Sequence, residues 1–281
     1  MGTTKKVPKG KRPATTPQSD EKVHVRKNGH ALRVNDVEVR GAELDEQARR
    51  AEMQRADLLA IATHDLRNPL GVVLVTSTML ARELVAPNQL EQVAAIRRAA
   101  TEMIQVIDDL VDGSHIDAGR LELVAEESSL AELIEEAALA ARIQKGDRAI
   151  RIETQVDPQL PEIAVDRQRL LQVFSRIVAN ALRFMPKAGT ITLACEKDGN
   201  AVRFSVGDSG PAIPESQRPY AFLRRPPMGR RSCRGTGLGM FVVKGIVEAH
   251  GGRIELTSDE ERGNRVSFTL PMKRGTMTFV V

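Results

Sequence analysis

Four clusters of residues have types and spacings that could do chemistry on a phosphoryl group. Gly235-Thr236-Gly237-Leu238-Gly239 opens an apolar, helix-forming run. Glycines at a helix N-terminus let backbone N–H groups approach an anion, and the helix dipole favours phosphate there. The stretch before it, 226–234, is basic and not strand-like, which argues against a dinucleotide-binding turn, and no P-loop sequence is present. Taken alone, this turn reads equally well as a helix cap. Asp208-Ser-Gly210 follows an alternating apolar run. A carboxylate at a strand end can accept a hydrogen bond from an exocyclic amine, and Gly210 admits a ring close to the backbone. Asn180, Arg183 and Phe184 fall in one helical pattern. Asn is an oxygen ligand suited to Mg²⁺, and Arg183 suits a phosphate. Phe184 suits a base or an ordinary core. The fourth cluster is His64-Asp65-Leu66-Arg67-Asn68. A neutral imidazole that loses its other proton to a base is a nucleophile. Asp65 is that candidate base, and Asn68, four residues on, shares the face of His64 and is placed to orient a water.

These residues need elements to hold them. Residues 42–68 contain neither Gly nor Pro. Leu59, Ala62, Leu66, Leu70, Val73, Leu80 and Leu84 recur at heptad spacing. With Leu59 at position a, His64 falls at f, away from the seam; its plain alternative is a solvent-facing histidine without a role. Pro69 is expected to disturb the helix locally. Ala86-Pro87-Asn88 breaks it, and a second seam follows at Val93, Ile96, Ala100, Met103, Ile107 and Leu110. Asp112-Gly-Ser and Ala118-Gly119 are expected to end that helix. Two such helices make an antiparallel hairpin with one uncovered apolar stripe, so a dimeric four-helix bundle is expected.

Beyond residue 119 the pattern mixes helices over 129–144, 166–183 and 238–250 with strands over 149–156, 190–195, 202–206, 253–257 and 266–270. Asp198-Gly199-Asn200 and Gly263-Asn264 read as turns between the last four strands. This pattern implies an α/β sandwich of mostly antiparallel sheet with helices on one face. Upstream, alternating residues flank Asn28-Gly29, a short hairpin signal.

Charge and composition exclude several classes. The net charge is +4, but residues 1–28 alone carry eight Lys/Arg against two Asp/Glu, so the rest of the chain is close to neutral. Residues 1–22 read as a disordered basic tail. Attachment to DNA or an anionic surface is the competing reading of that tail, and nucleic acid is the less favoured partner. One Tyr, seven Phe and no Trp argue against a base-stacking platform. The apolar run 70–75 is far short of the roughly 18 residues of a membrane span, so neither a span nor a secretory leader is expected. Cys195 and Cys233 form no disulfide framework and have no metal-ligand spacing. A reducing cytoplasm is the expected setting.

Together the motifs resemble the cytoplasmic catalytic core of a bacterial two-component sensor histidine kinase. Residues 62–70 resemble the phosphoacceptor box, 166–184 the asparagine box, and Asp208-Ser-Gly210 the first glycine box. Residues 235–239 with His250-Gly-Gly252 resemble the second glycine box and its helix. The resemblance spans about 45–271 and implies an α+β fold: a dimerising helical hairpin, then a GHKL (Bergerat-type) ATP-binding sandwich. The implied division is 1–40 tail and hairpin, 41–118 phosphotransfer hairpin and 119–281 ATP-binding domain. The implied activity is ATP-dependent autophosphorylation of His64, with Asp65 taking the proton, and transfer to an aspartate of a response regulator. Asn68 would favour the reverse hydrolysis. ATP would lie between the Asn180 helix and a lid over about 214–234. Asp208 would meet the adenine amine beside Gly210, and Asn180 would hold Mg²⁺ with Arg183 and Phe184 nearby. Gly235, Thr236, Gly237, Leu238 and Gly239 would cradle the phosphates. The implied partners are a second copy, a response-regulator receiver domain and an upstream signalling protein.

Two departures stand out. Arg176 replaces the family's usual Asn or acid one turn before Asn180, and reads either as a phosphate ligand or as a repeller of Mg²⁺. On the second reading, Arg176→Asn keeps or raises activity. Ala212 replaces a glycine of the first glycine box and adds a methyl group where close approach is expected. They motivate an alternative, a degenerate kinase acting as a dimeric binding module or regulator phosphatase. A non-kinase GHKL ATPase leaves His64 and Asp65 unexplained. Tyr220 keeps one ring of an aromatic pair expected before the lid, with Leu223 in place of the other.

Overall fold

The computed structural model describes residues 25–27, 30–32, 63, 66–83, 86–224 and 237–272. The basic stretch 1–22, expected to be disordered, lies outside the described residues. The chain divides into two compact units, Met1–Ala51 and Glu52–Val281. In the first, β1 (Val25–Lys27) pairs antiparallel with β2 (His30–Leu32), with Lys27 opposite His30, so Asn28-Gly29 is the expected two-residue connection.

The second unit begins with helix α1, described over 66–83 and continuous through Pro69. Helix α2 (Pro87–Asp117) follows, with Pro87 at its start, where a missing N–H does not matter. The sequence places a helix end at Asp112-Gly113-Ser114; the structure corrects this, because α2 runs through it. A Cβ on Gly113 would lie only 3.8 Å from the Phe241 ring, so tertiary packing overrides the local breaker. The helix ends instead at Ala118-Gly119, where Gly119 has φ 65° and Arg120 N donates to His115 O. The α2 seam is split: Val93, Ala100 and Ile107 are buried, whereas Ile96 and Met103 are 49% and 55% exposed. Leu66, Val73 and Leu80 of α1 are exposed at the same seven-residue interval.

The remaining residues build a helix-on-sheet sandwich. Helix α3 (Leu130–Lys145) starts at Ser129, whose side chain accepts from Glu132 N, and carries Arg142 and Lys145 in its last turn. Strand β4 (Ala149–Val156) matches its expected bounds. Helix α4 (Arg167–Phe184) is capped by Asp166, which accepts from Arg169 N at 3.0 Å and from Val124 N at 2.9 Å. Strands β6 (Ala188–Asp198) and β7 (Ala201–Asp208) form the expected hairpin about Gly199. Helix α5 (Leu238–Ala249) leads to β8 (Arg253–Asp259) and β9 (Gly263–Pro271). Here a second correction arises. Gly263 and Asn264 open β9 and are not the turn, which is 260–262, where Asp259 Oδ1 accepts from Glu261 N and Arg262 N. Two short strands that the sequence does not announce, β3 (Glu126–Ser128) and β5 (Ile163–Val165), pair antiparallel.

The main sheet has the order β4-β6-β7-β9-β8, antiparallel except for β4 with β6. Period-two alternation sends Ile191, Leu193, Val202, Phe204, Phe268 and Leu270 into the core, all at most 1% exposed. Phe174 of α4 packs on Phe204 and Phe268 at centroid distances of 6.0 and 5.7 Å, and those two rings stack at 5.0 Å. Cys195 is buried there, and burial pushes its thiol up to about 12, which keeps it protonated and unreactive.

Candidate functional site

Three of the four sequence clusters converge on α4. At its N-terminus, His250 locks α5 to the cap: Asp166 N donates to His250 Nε2 at 3.1 Å, while His250 Nδ1 lies 2.8 Å from Ile246 O. The ring therefore carries its proton on Nδ1 and is structural. α5 then runs back along α4, so that its first turn comes beside the middle of α4. A Cβ on Gly239 would lie 3.9 Å from Arg176 Cδ. Gly237 caps α5 with φ 72°, a left-handed conformation that favours glycine, and Leu238 is buried. Gly235 and Thr236 lie outside the described residues.

Asn180 sits one turn beyond Arg176 and is half-buried, with no hydrogen-bond partner for its amide among the described residues. Arg183 and Phe184, in the last turn, are exposed. At the C-terminal end of α4 the Asp208 loop closes in. A Cβ on Gly210 would lie 2.6 Å from Asp208 Oδ1 and 3.2 Å from Met185 Cγ, the residue that ends α4. Only glycine fits there.

Asp208 is half-buried at the end of β7. Its Oδ1 accepts from Gly210 N at 2.8 Å and from Asn264 Nδ2 at 3.0 Å. Oδ2 has no partner among the described residues, which leaves one acceptor for an exocyclic amine. Asn264 holds Asp208 in place, and the sequence reading missed it because Gly-Asn has the composition of a turn. It is 7% exposed. It also donates to Pro211 O at 3.1 Å and accepts from Ser258 Oγ and Ile213 N at 2.7 and 3.2 Å. It thus fixes the loop that contains Ala212. Beyond Asp208, a cleft of about 630 Å³ opens on the sheet face away from the helices, lined by Thr190, Thr192 and Arg265 among others. Asp208 and Asn264 also border it, whereas Asn180 and Gly237–Gly239 do not, so it adjoins the expected nucleotide site only at Asp208. Phe222 packs partly buried against the core, so a second ring does follow Tyr220, one residue before Leu223.

Of the phosphoacceptor cluster, His64 and Asp65 lie outside the described residues. Thr63 and Leu66 on either side are helical, and Asn68 is exposed. Arg67 pairs with Asp108 of α2 at 2.5 Å, which places the two at the same level of the hairpin.

Arg176 is engaged by helix α2. Its side chain is 10% exposed, its Nη2 lies 3.0 Å from Asp109 Oδ1 of α2, and it donates to Gln105 O at 3.4 Å. Next to it, Asp112 accepts from Arg169 at 2.8 Å and from Gln172 at 2.5 Å. Burial pushes the Asp109 carboxyl up to about 6, against the opposing pull of Arg176. Further along, Ile116 fills the space left by the missing Cβ of Gly245, and Arg224 pairs with Asp117 while lying 5.9 Å over the Phe241 ring.

The chain was compared with known proteins. Residues 54–119 match the His Kinase A (phospho-acceptor) domain, and residues 165–274 match the histidine kinase-, DNA gyrase B- and HSP90-like ATPase domain. An uncharacterized sensor-like histidine kinase of Rhizobium meliloti is 30% identical over 233 residues, 80% of this chain and 44% of that protein. The circadian input-output histidine kinase CikA of Synechococcus elongatus is 30% identical over 232 residues, 80% of this chain and 31% of that one. Among solved structures, full-length ShkA in complex with AMPPNP is 26% identical with a TM-score of 0.62, covering 78% of this chain and 46% of that one. The chain spans less than half the length of these relatives. No helix among the described residues is long and apolar enough to cross a membrane. With a phospho-acceptor hairpin followed by an ATPase sandwich of this type, the chain belongs to the histidine kinase family.

Proposed function

We propose that this chain is an ATP-dependent protein-histidine kinase that phosphorylates its own His64 and passes the phosphoryl group to an aspartate of a response regulator. The observation that carries the reading is the convergence on α4 of an amide without a partner among the described residues (Asn180), a half-satisfied carboxylate (Asp208) and the first turn of α5, capped by the left-handed Gly237. These suit the three parts of a nucleotide. Asp208 Oδ2 accepts from the adenine amine, while Gly210 lets the ring approach. The turn 235–239 cradles the phosphates. Asn180 holds Mg²⁺, which needs few protein ligands, and Arg183 adds charge on the same side. No cluster of three or more His, Cys, Asp or Glu exists among the described residues to hold a metal by itself. His64 attacks the γ-phosphorus in line, the bond to the leaving oxygen of ADP breaks, and Asp65 takes the imidazole proton; catalysis is positioning and electrostatics. Asn68, exposed on α1, orients water for hydrolysis of the phosphorylated regulator. The domains are taken as 41–118 for phosphotransfer and 119–281 for ATP binding.

The half-covered seam supports a homodimer through the hairpin, since Ile96, Met103, Leu66, Val73 and Leu80 leave an apolar stripe in water. ATP and a receiver-domain substrate assign the core to the cytoplasm, with an upstream signalling protein as its input. The degenerate-kinase alternative loses half its motive, because Arg176 is occupied by Asp109. Incubation with γ-labelled ATP and Mg²⁺ tests the reading: acid-labile label is expected on the wild type and none on His64→Gln. An unlabelled wild type at millimolar ATP overturns it in favour of the binding module.

A further inference from the structure

We propose that Arg176 is a positioning residue, which through Asp109 docks the ATPase domain on the phospho-acceptor hairpin at the level where phosphoryl transfer takes place. The inference rests on the kinase reading above and assigns a role that the asparagine box does not supply. Helix α2 offers Asp109 and Asp112, three residues apart, and α4 offers Arg169, Gln172 and Arg176, spaced by three and four. Each set lies on one helical face. The two faces meet as a ladder, Asp112 with Arg169 and Gln172, and Asp109 with Arg176.

The ladder fixes a level as well as a contact. Asp108, next to Asp109, pairs with Arg67, which follows His64 by three residues in the sequence. On its other side Asp109 meets the glycine turn, because a Cβ on Gly239 would lie 3.5 Å from Asp109 Oδ2. The first turn of α5 is therefore held against the α2 segment that is in register with the phospho-acceptor box. A phosphate ligand would have to abandon its carboxylate, and Arg176 is nine-tenths buried with it.

A buried ion pair contributes little net stability, yet removal of one partner is strongly unfavourable, so such pairs serve best as register devices. This one is incompletely satisfied. Arg176 Nε and Asp109 Oδ1 have no hydrogen-bond partner among the described residues, so charge and not an aligned hydrogen bond joins them. It can specify a docked arrangement without making it permanent.

The test uses the whole chain and three readouts: autophosphorylation rate, affinity for a fluorescent non-hydrolysable ATP analogue, and hydrogen exchange of residues 105–117. Arg176→Asp and Asp109→Arg, each alone, are expected to slow labelling at least about tenfold and to speed exchange, with analogue affinity within about twofold. The combined reversal is expected to recover to within about threefold of wild type. Arg176→Met is expected to behave like the single reversals and Arg176→Lys to keep most of the rate; this comparison decides the matter if the reversals fail to fold. Analogue affinity falling about tenfold in Arg176→Met would make Arg176 a ligand and overturn the proposal. A double reversal no better than its parents, or labelling and exchange unmoved, also overturns it. A wild type that binds the analogue but is never labelled refutes the kinase reading instead, while exchange at 105–117 still tests the docking pair.

Discussion

Asn264 gives its side-chain amide to Asp208 Oδ1 across neighbouring strands, at 3.0 Å, and uses every other hydrogen-bonding position it has on the loop and strand around it. The Asp208 carboxylate is thereby held at one oxygen and left open at the other among the described residues. Asn264→Leu keeps the size but removes one of the two donors to Asp208 Oδ1, the donor to Pro211 O and the acceptor of the Ser258 hydroxyl. A loss of about 1–3 kcal/mol in stability is expected, together with a several-fold rise in the KM for ATP. Thermal unfolding and labelling kinetics at varied ATP measure both.

Two glycines on either side of Asp208 should behave oppositely under one substitution. Gly210→Ala forces a methyl group to 2.6 Å from Asp208 Oδ1, so nucleotide affinity should fall about tenfold or more. Gly207→Ala meets nothing closer than 3.8 Å and has ordinary backbone angles, so its affinity should stay near that of the wild type. Titration with an ATP analogue compares them directly.

Docking of α2 on α4 should weaken as pH rises. Burial raises the Asp109 carboxyl from 3.8 to about 6, with Arg176, Asp112, Asp108 and Arg183 as the charges around it. The docked form therefore keeps a proton that the undocked form has released. Its favourable contribution is complete below about pH 4 and is lost as pH climbs through 6. Hydrogen exchange of 105–117, corrected for the intrinsic rate, should speed up between pH 5 and 7 in the wild type. Asp109→Asn should flatten that dependence.

The exposed half of the seam predicts the oligomeric state. Ile96→Lys with Met103→Lys puts charge into the stripe and leaves the buried Val93, Ala100 and Ile107 unchanged. Sedimentation should show a dimer for the wild type and a shift to monomer for the double variant, with helix content by circular dichroism unchanged.

Much of the architecture was legible because its signals are local. Ser129 and Asp166 announce helix starts by capping chemistry, and alternation in 149–156 marks a strand with its true bounds. The site motifs were legible for the same reason, since each is a run of a few residues. What the sequence hid depends on partners far along the chain. Gly113 looks like a helix stop until Phe241 is seen packed on it. Arg176 looks like a ligand or an intruder until Asp109, 67 positions earlier, claims its charge. Asn264 reads as a turn because Gly-Asn suits one, and only its pairing across β7 and β9 shows otherwise. Strands β3 and β5, three residues each, are too short for a period to declare itself.

The histidine at the end of α5 has a mechanical meaning. Because His250 ties the base of α5 to the cap of α4, the spacing of the two helices is set at that end, and Gly239 and Asn180 lie toward the other. A substitution at His250 is therefore expected to shift Gly239 and Asn180 relative to one another, although it touches neither.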